Sequence, residues 1–536
     1  MSEKKRNMLL QGGILAGAGL ITKVIGFAYR IPMSNMMGEE GNGLYSIAFG
    51  IYNVALTISS YSLPLAVSKM VSAKIAKEEY RNMRRVVVNA FIYALIAGLM
   101  IMLGLYLGAG AIEGVYNKQG LARPLRILAP TTFVVAILGV FRGYFQGHGD
   151  MVPTSISQIL EQIANAIVSV LATWQFMKIY QESDEAASFG AAGGTLGTLA
   201  GAATALLFMM VFYLLTKRRY HKRRRRGERV ESNSYIMRVL FITLIPVVLS
   251  QTIYQIGYTI DDFMFSNLMP LRGFSDLEIT SLQGVFNTQY NQLINLPVAI
   301  ATAMAASTLP SIVISRMQND MWGVHQKITQ VIKVNMLIAF PSAVGLAVLA
   351  DPIMQMLFPN LTTHREQAVI LLVSGSSAVI FYAISSLTTS ILQGANYMRI
   401  PVIHSAVSLV IHIVLLGILL MVTDLNVYAL VICNVLFPVI VSVLNCRSIT
   451  TEVGYEWEYR ETFLKPLFAS IAMGFVAFAL YQVVAPRINN IYLAFIITIV
   501  PAVIVYAVTI IQIGCFSEEE LSAIPGGAKL IRFLPY

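Results

Sequence analysis

The chain has 536 residues, 56% of them hydrophobic, and only 12% are Asp, Glu, Lys or Arg, about half the ~25% of a soluble domain. That excludes a water-soluble protein, because too few polar side chains are present to cover an outer surface, so lipid must be the solvent. The net charge of +10 would suit nucleic acid, but the cations sit in short clusters between apolar stretches, the pattern of loops facing an anionic membrane surface, and no nucleic-acid partner is expected.

A spanning helix needs about 20 mostly apolar residues. Such stretches lie at 9–32, 43–67, 87–112, 122–145, 153–180, 189–216, 236–260, 282–306, 329–350, 367–392, 400–422, 427–446, 463–485 and 490–513. They predict an all-α polytopic membrane protein of about fourteen transmembrane helices. The first stretch carries charges and lacks a small-residue cleavage site, so it reads as a retained helix rather than a signal peptide. Cys433, Cys446 and Cys515 lie within or at the end of apolar stretches without metal-ligand spacing; they read as small core residues, and no cofactor or metal is expected.

Charge sets the expected orientation. Lys4, Lys5 and Arg6 precede the first stretch, Lys69, Lys74, Lys77, Arg81, Arg84 and Arg85 follow the second, and the dense run 217–229 follows the sixth. Arg316 and Lys327 follow the eighth and Arg399 the tenth, whereas the intervening loops offer Gly38-Glu39-Glu40-Gly41, then Glu182, Asp184 and Glu185, then Asp424. The alternation places both termini in the cytoplasm. The run 217–229 reads as a cytoplasmic linker rather than a nucleic-acid patch.

The sequence also repeats. Ile25-Gly26-Phe27 matches Ile256-Gly257-Tyr258, Leu63-Pro64 matches Leu296-Pro297, and Phe145-Gln146-Gly147 with Met151 and Pro153 matches Leu392-Gln393-Gly394 with Met398 and Pro401, in the same order. The expected organisation is a six-helix lobe over 1–216, a basic linker over 217–235, a second six-helix lobe over 236–446, and two extra helices and a tail over 447–536. Each lobe holds an even number of helices, so the two share one orientation, in parallel repeat about a pseudo-twofold axis along the membrane normal.

Six plus six plus two helices is the plan of the MurJ-like branch of the MOP exporter superfamily. The segment Lys23-Val24-Ile25-Gly26-Phe27-Ala28-Tyr29-Arg30-Ile31-Pro32 resembles the opening of its SpoVB/YtgP flippases. Gly38-Glu39-Glu40-Gly41-Asn42-Gly43-Leu44-Tyr45 is similar to the turn that follows it there, and the Phe-Gln-Gly and Leu-Gln-Gly repeats also resemble that group. The resemblance implies a two-lobed flippase in a bacterial cytoplasmic membrane, serving peptidoglycan biosynthesis, cell-wall biogenesis and cell shape. It implies a central cationic cavity and a polyprenyl-pyrophosphate-linked substrate such as lipid II, with the cell-wall synthesis machinery as a possible partner besides membrane lipids. The better-known members carry an Arg shortly before a Phe-Pro in the eighth helix. Here that stretch reads Tyr290-Asn291-Gln292-Leu293-Ile294-Asn295-Leu296-Pro297, so Gln292 stands where that Arg would. Some relatives bind sodium through acidic and amide residues of the seventh and eleventh helices; the seventh here offers Asp261 and Asp262, but the eleventh offers His404 and His412.

Ionisable groups in membrane helices are costly and are functional candidates by default. Lys23 lies about 20 Å into its helix at 1.5 Å per residue, and Arg30 lies near the far end. Arg30 reads either as an interfacial anchor or as a cavity guanidinium gripping phosphate through its planar fork; Lys23 reads as a second such cation or a structural partner. Asp261 and Asp262 either end the seventh helix at the surface or form a gate or ion-coupling site. Arg142 reads as an anchor, and Glu161 as a proton site or a structural bond. Gln251 and Gln255 share one face, as do Asn287, Asn291 and Asn295, flanked by Gln283, Gln289 and Gln292; such a stripe either glues helices together or walls a cavity for sugar and peptide groups.

No Walker loop, nucleophile elbow or Rossmann glycine pattern occurs, so a transporter is expected rather than an enzyme, drawing on membrane potential, an ion gradient or product consumption. Alternatives are a cation-coupled multidrug exporter of the MATE type, a flippase for another undecaprenyl-linked oligosaccharide, and a polyprenyl glycosyltransferase, for which the loops are short.

Overall fold

The computed structural model describes residues 3–220, 230–318 and 320–515; within these every apolar stretch falls on helix and there is no strand. The linker residues 221–229 and the tail 516–536 lie outside the described residues. In chain order the helices are α1 (Glu3–Leu56), α2 (Leu63–Ala76), α3 (Tyr80–Tyr116), α4 (Ala122–Gly147), α5 (Val152–Tyr180), α6 (Ala186–Tyr220), α7 (Asn233–Leu268), α8 (Asp276–Gly284) and α9 (Asn291–Met317). There follow α10 (Met321–Val348), α11 (Ala350–Leu357), α12 (Arg365–Gly375), α13 (Ala378–Gly394), α14 (Arg399–Val422), α15 (Val427–Ser448), α16 (Lys465–Val484) and α17 (Ile491–Gln512). Among the described residues ten helical segments are long and apolar enough to cross a membrane, eleven if α12 and α13, bent by 44°, form one span. One of the ten, Gly13–Ala76, takes in the first two predicted stretches together.

Those two stretches are separated by a break inside α1. Gly38 has φ 71° and ψ −179°, which a residue with a Cβ adopts only at a cost. The Asn42 side-chain amide donates to the carbonyls of Ser34 (2.9 Å) and Gly38 (2.7 Å), satisfying groups the break frees. Straight helix would separate residues 30 and 49 by about 28 Å, yet the Arg30 guanidinium lies 5.3 Å from the Phe49 ring. The chain therefore doubles back at Gly38, and the predicted Gly38–Gly41 loop is reduced to a single non-helical residue.

Contacts group the chain into two compact units, Met1–Thr288 and Gln289–Tyr536. In the first, glycines set the packing distance. A Cβ at Gly143 would stand 2.7 Å from Val67 Cβ and one at Gly147 2.6 Å from Val71 Cβ, so α4 lies flush on α2. A Cβ at Gly197 would stand 2.5 Å from Ser169 N, and one at Gly201 2.5 Å from Glu161 O, so α6 lies flush on α5. Small residues at such crossings let helices approach where lipid supplies no hydrophobic drive. In the second unit α9 packs on α13 and α10, α13 and α14 on α15, and α16 on α10 and α17. The α16 residues Phe468, Ile471, Phe475 and Phe478, with Leu464 just before them, are exposed and share one face, which suits a lipid-facing surface.

The sequence repeat recurs as local structure. After Phe145-Gln146-Gly147, Gly149 turns left-handed (φ 80°) while Asp150 N donates to Phe145 O and Gly149 N to Gln146 O. After Leu392-Gln393-Gly394, Asn396 turns left-handed (φ 72°) while Tyr397 N donates to Leu392 O and Asn396 N to Gln393 O. Both are the same paired-bond helix stop, and Met151 and Met398 cap the helices that follow. Leu63-Pro64 and Leu296-Pro297 each follow a π-helical stretch, Thr57–Tyr61 and Val285–Tyr290.

A buried lysine stands at one end of the first unit. The turn between α3 and α4 is fixed by left-handed Asn117 and Gly120 and by the Glu113 carboxylate accepting from Ala122 N (2.6 Å). It holds Lys118 inward, 2% exposed, with Nζ 3.3 Å from Asp276 O. Burial pulls its pKa from 10.5 down to about 8, against the opposing pull of Asp276 and Glu40. In the unfolded chain the ordinary value holds, so the folding penalty is fully present below pH 8 and fades as pH rises from 8 to 10.5. At about 1.36 kcal/mol per pH unit across that gap, the penalty is on the order of 3 kcal/mol. Lys118→Met is therefore expected to raise the thermal midpoint in detergent at pH 7. The wild type, but not the variant, should gain stability between pH 8 and pH 10; parallel pH profiles would refute this account.

Candidate functional site

Arg30 lies half-buried on the first arm of α1, between Tyr29 and Tyr45, with its guanidinium over the Phe49 ring at 5.3 Å. Tyr45, Phe49 and Tyr52 recur at i, i+4 and i+7, so they form one face of the second arm; Tyr45 stacks on Phe49 at 5.6 Å and Phe49 meets Tyr52 at 5.5 Å. A guanidinium over an aromatic face gains about 0.5–2 kcal/mol. Arg30 makes no ion pair among the described residues, and its Nε has no hydrogen-bond partner. Lys23, exposed, precedes Arg30 by two turns on the same arm.

Glu161 on α5 pairs instead with Arg142: Nη2 donates to its carboxylate at 2.7 Å, and Arg142 Nε to Ser157 Oγ at 3.0 Å. The Arg142 side chain is only 13% exposed, so the anchor reading of Arg142 is replaced by an ion pair joining α4 to α5.

Asp261 and Asp262 do not end a helix at the surface. α7 continues to Leu268 and both residues are buried. The polar residues that made the seventh stretch look finished at 260 are satisfied by partners on the next element. Asn287 Nδ2 donates to Asp262 Oδ1 (2.7 Å), Gln283 Nε2 to Asp262 O (2.9 Å), and Gln283 also meets Ser266. Asp262 approaches α1 as well: a Cβ at Gly50 would stand 3.8 Å from its Oδ2. Arg30 and Asp262 thus reach neighbouring residues, Phe49 and Gly50, of the same helical arm.

The remaining predicted residues are placed separately. Gln255 is half-buried, and the side chain of Gln251 lies outside the described residues. In the second unit Asn291 and Gln292 are buried whereas Asn295, one turn on, is exposed. That unit has a polar interior of its own: Tyr290 donates to Asn434 Oδ1 (3.1 Å), Asn445 Nδ2 reaches Thr388 (3.1 Å), and His404 Nδ1 lies 2.8 Å from Asn445 Oδ1. Sequence reasoning passed over Tyr29, Tyr45, Phe49 and Tyr52; their helical spacing was visible, but nothing local showed that the chain folds back to bring Arg30 onto them.

A largely apolar chain that is helical throughout its described residues, with polar and charged side chains held inside those helices, defines a polytopic membrane protein. The chain belongs to the polysaccharide biosynthesis protein family, whose model matches residues 9–318. It is 26% identical to the lipid II flippase MurJ of Bacillus subtilis (strain 168) over 419 residues, 76% of each chain. It is 24% identical to stage V sporulation protein B of the same organism over 521 residues, 97% of this chain and 98% of that one. A solved structure of lipid II flippase MurJ in an inward closed conformation shares the fold, with TM-score 0.67 and 16% identity over 92% of this chain and 97% of the other.

Proposed function

We infer that this protein is a flippase that carries a polyprenyl-pyrophosphate-linked cell-wall precursor, lipid II in the first instance, from the inner to the outer leaflet of a bacterial cytoplasmic membrane. The observation that carries the reading is Arg30, a cation cradled by Tyr29, Tyr45 and Phe49 with no ion pair among the described residues. A charge of this kind inside a membrane protein is expensive unless an anion meets it, and a pyrophosphate supplies two charges and a fork of oxygens. In this reading Lys23 adds the second cation. Gln251, Gln255, Asn287, Asn291, Gln292 and Asn295 offer amides to the sugar and peptide groups, and Asp261, Asp262 and Glu161 serve gating or ion coupling. The lobes over 1–216 and 236–446, joined by the linker 217–235, rock to give alternating access, while the polyprenyl tail stays in lipid beside the two extra helices.

The likeness to stage V sporulation protein B over 97% of the chain favours, as a second reading, another undecaprenyl-linked oligosaccharide as cargo. One experiment separates the two: expression of this gene alone in cells depleted of their lipid II flippase. Restored growth and lipid II exposure support lipid II as cargo; failure at normal protein levels favours the other oligosaccharide.

The alternating Lys/Arg bias further implies that both termini and the 217–229 run face the cytoplasm. A cysteine introduced into that run should resist an impermeant maleimide in intact cells and react after permeabilisation; labelling in intact cells would reverse the orientation.

A further inference from the structure

Beside Tyr29, an amide and a hydroxyl of α5 are buried against α6. Asn165 and Ser169, one turn apart on α5, are 6% and 0% exposed. Ser169 Oγ lies 2.9 Å from Asn165 Oδ1 and 2.8 Å from Gly194 O, and its single hydrogen serves either acceptor. With Oδ1 turned to the serine, the donor end of the amide faces α1, where Nδ2 donates to the Tyr29 hydroxyl at 3.2 Å. The sequence makes room for this arrangement on α6: a Cβ at Gly197 would stand 2.0 Å from Ser169 Oγ and 2.6 Å from Asn165 O. Tyr29, 7% exposed, lies in turn against the Arg30 guanidinium. A tyrosine oxygen that accepts from Asn165 keeps a second lone pair for the guanidinium.

We propose that Asn165, backed by Ser169, is a positioning residue for Arg30: by fixing the Tyr29 hydroxyl it presets the guanidinium fork for a diphosphate rather than a single phosphate. The inference rests on the reading of Arg30 as the phosphate ligand. Preorganisation by outer partners governs how well a charged group meets its ligand, because a fork that must first be oriented loses part of its advantage over a point charge. A purely structural bond between α5 and α1 would instead affect every ligand, and the fold, alike.

The test uses the full chain in detergent, with farnesyl diphosphate and farnesyl monophosphate as calorimetric probes. The wild type should prefer the diphosphate. Asn165→Leu and Tyr29→Phe should each weaken diphosphate binding about tenfold, the scale of one lost hydrogen bond in the chain, and leave monophosphate binding little changed. The double variant should be no worse than either single one, since both cut one path. Tyr29→Phe removes only one oxygen and carries the test if Asn165→Leu fails to fold. Unchanged diphosphate preference in both variants, with binding lost in Arg30→Ala, would overturn the positioning role and leave the flippase reading intact. Additive losses in the double variant would also overturn it. Binding retained in Arg30→Ala would overturn the reading of Arg30 itself.

Discussion

Arg30→Ala should abolish complementation of cells depleted of their lipid II flippase, and Arg30→Lys should restore only part of it, with both variants present at wild-type levels. Alanine removes the one cation that the first unit holds over Phe49 and between two tyrosines. A pyrophosphate drawn into that setting would lose its hydration with only Lys23 left to meet its two charges, a cost of several kcal/mol for the uncompensated one. Lysine keeps a charge but not the fork. It offers one compact, strongly hydrated ammonium where two parallel N–H groups can face two oxygens, and it forfeits the planar stacking over the ring. The expected ranking is wild type, then Lys, then Ala, read as growth and as precursor exposed to an external probe. Equal growth of the Ala variant, at normal protein levels, would remove Arg30 from the mechanism.

The helices were legible because lipid imposes a coarse rule: about twenty apolar residues per span, and α14, α16 and α17 follow it closely. The helix stops after Gly147 and Gly394 were legible as a repeat because a left-handed residue must follow and few residues tolerate it. What escaped was set by distant partners. α7 looked finished at 260 because Asp261, Asp262 and Ser266 are polar; it continues because Asn287 and Gln283, more than twenty and seventeen positions on respectively, satisfy Asp262 and Ser266. Arg142 looked like an anchor because its carboxylate lies on another helix, at Glu161. Asn165 carried no signal at all, since a lone amide in an apolar stretch is ordinary helix glue until the hydroxyl it meets is seen beside an arginine. Arg30 was named from sequence for its charge, and the cradle that gives the charge meaning required the reversal at Gly38.

The second large effect is expected where the arm of α1 that follows Gly38 crosses α8. A Cβ at Gly43 would stand 2.0 Å from Thr280 O and 2.9 Å from Thr280 C; one at Gly284 would stand 2.3 Å from Glu39 O and 2.8 Å from Gly43 N. Two glycines on two helices thus press against each other's backbone, and no rotamer change can relieve an added methyl on either. Gly43→Ala must push α8 away from α1, and with it the hydrogen bond from Lys118 to Asp276 O, whose residue opens that helix. Overpacking of this kind costs about 1–3 kcal/mol or more, so Gly43→Ala and Gly284→Ala should each lower the thermal midpoint in detergent by several degrees and sharply reduce complementation. Gly104 and Gly108 on α3 provide the control, because a Cβ at either meets nothing within 4 Å, and alanine there should be neutral or slightly stabilising through helix propensity. If alanine at 43 and 284 behaves like alanine at 104 and 108, the close crossing does not exist in the membrane. If the midpoint falls while transport survives, the crossing supports the fold alone and the motion that releases the cargo lies elsewhere.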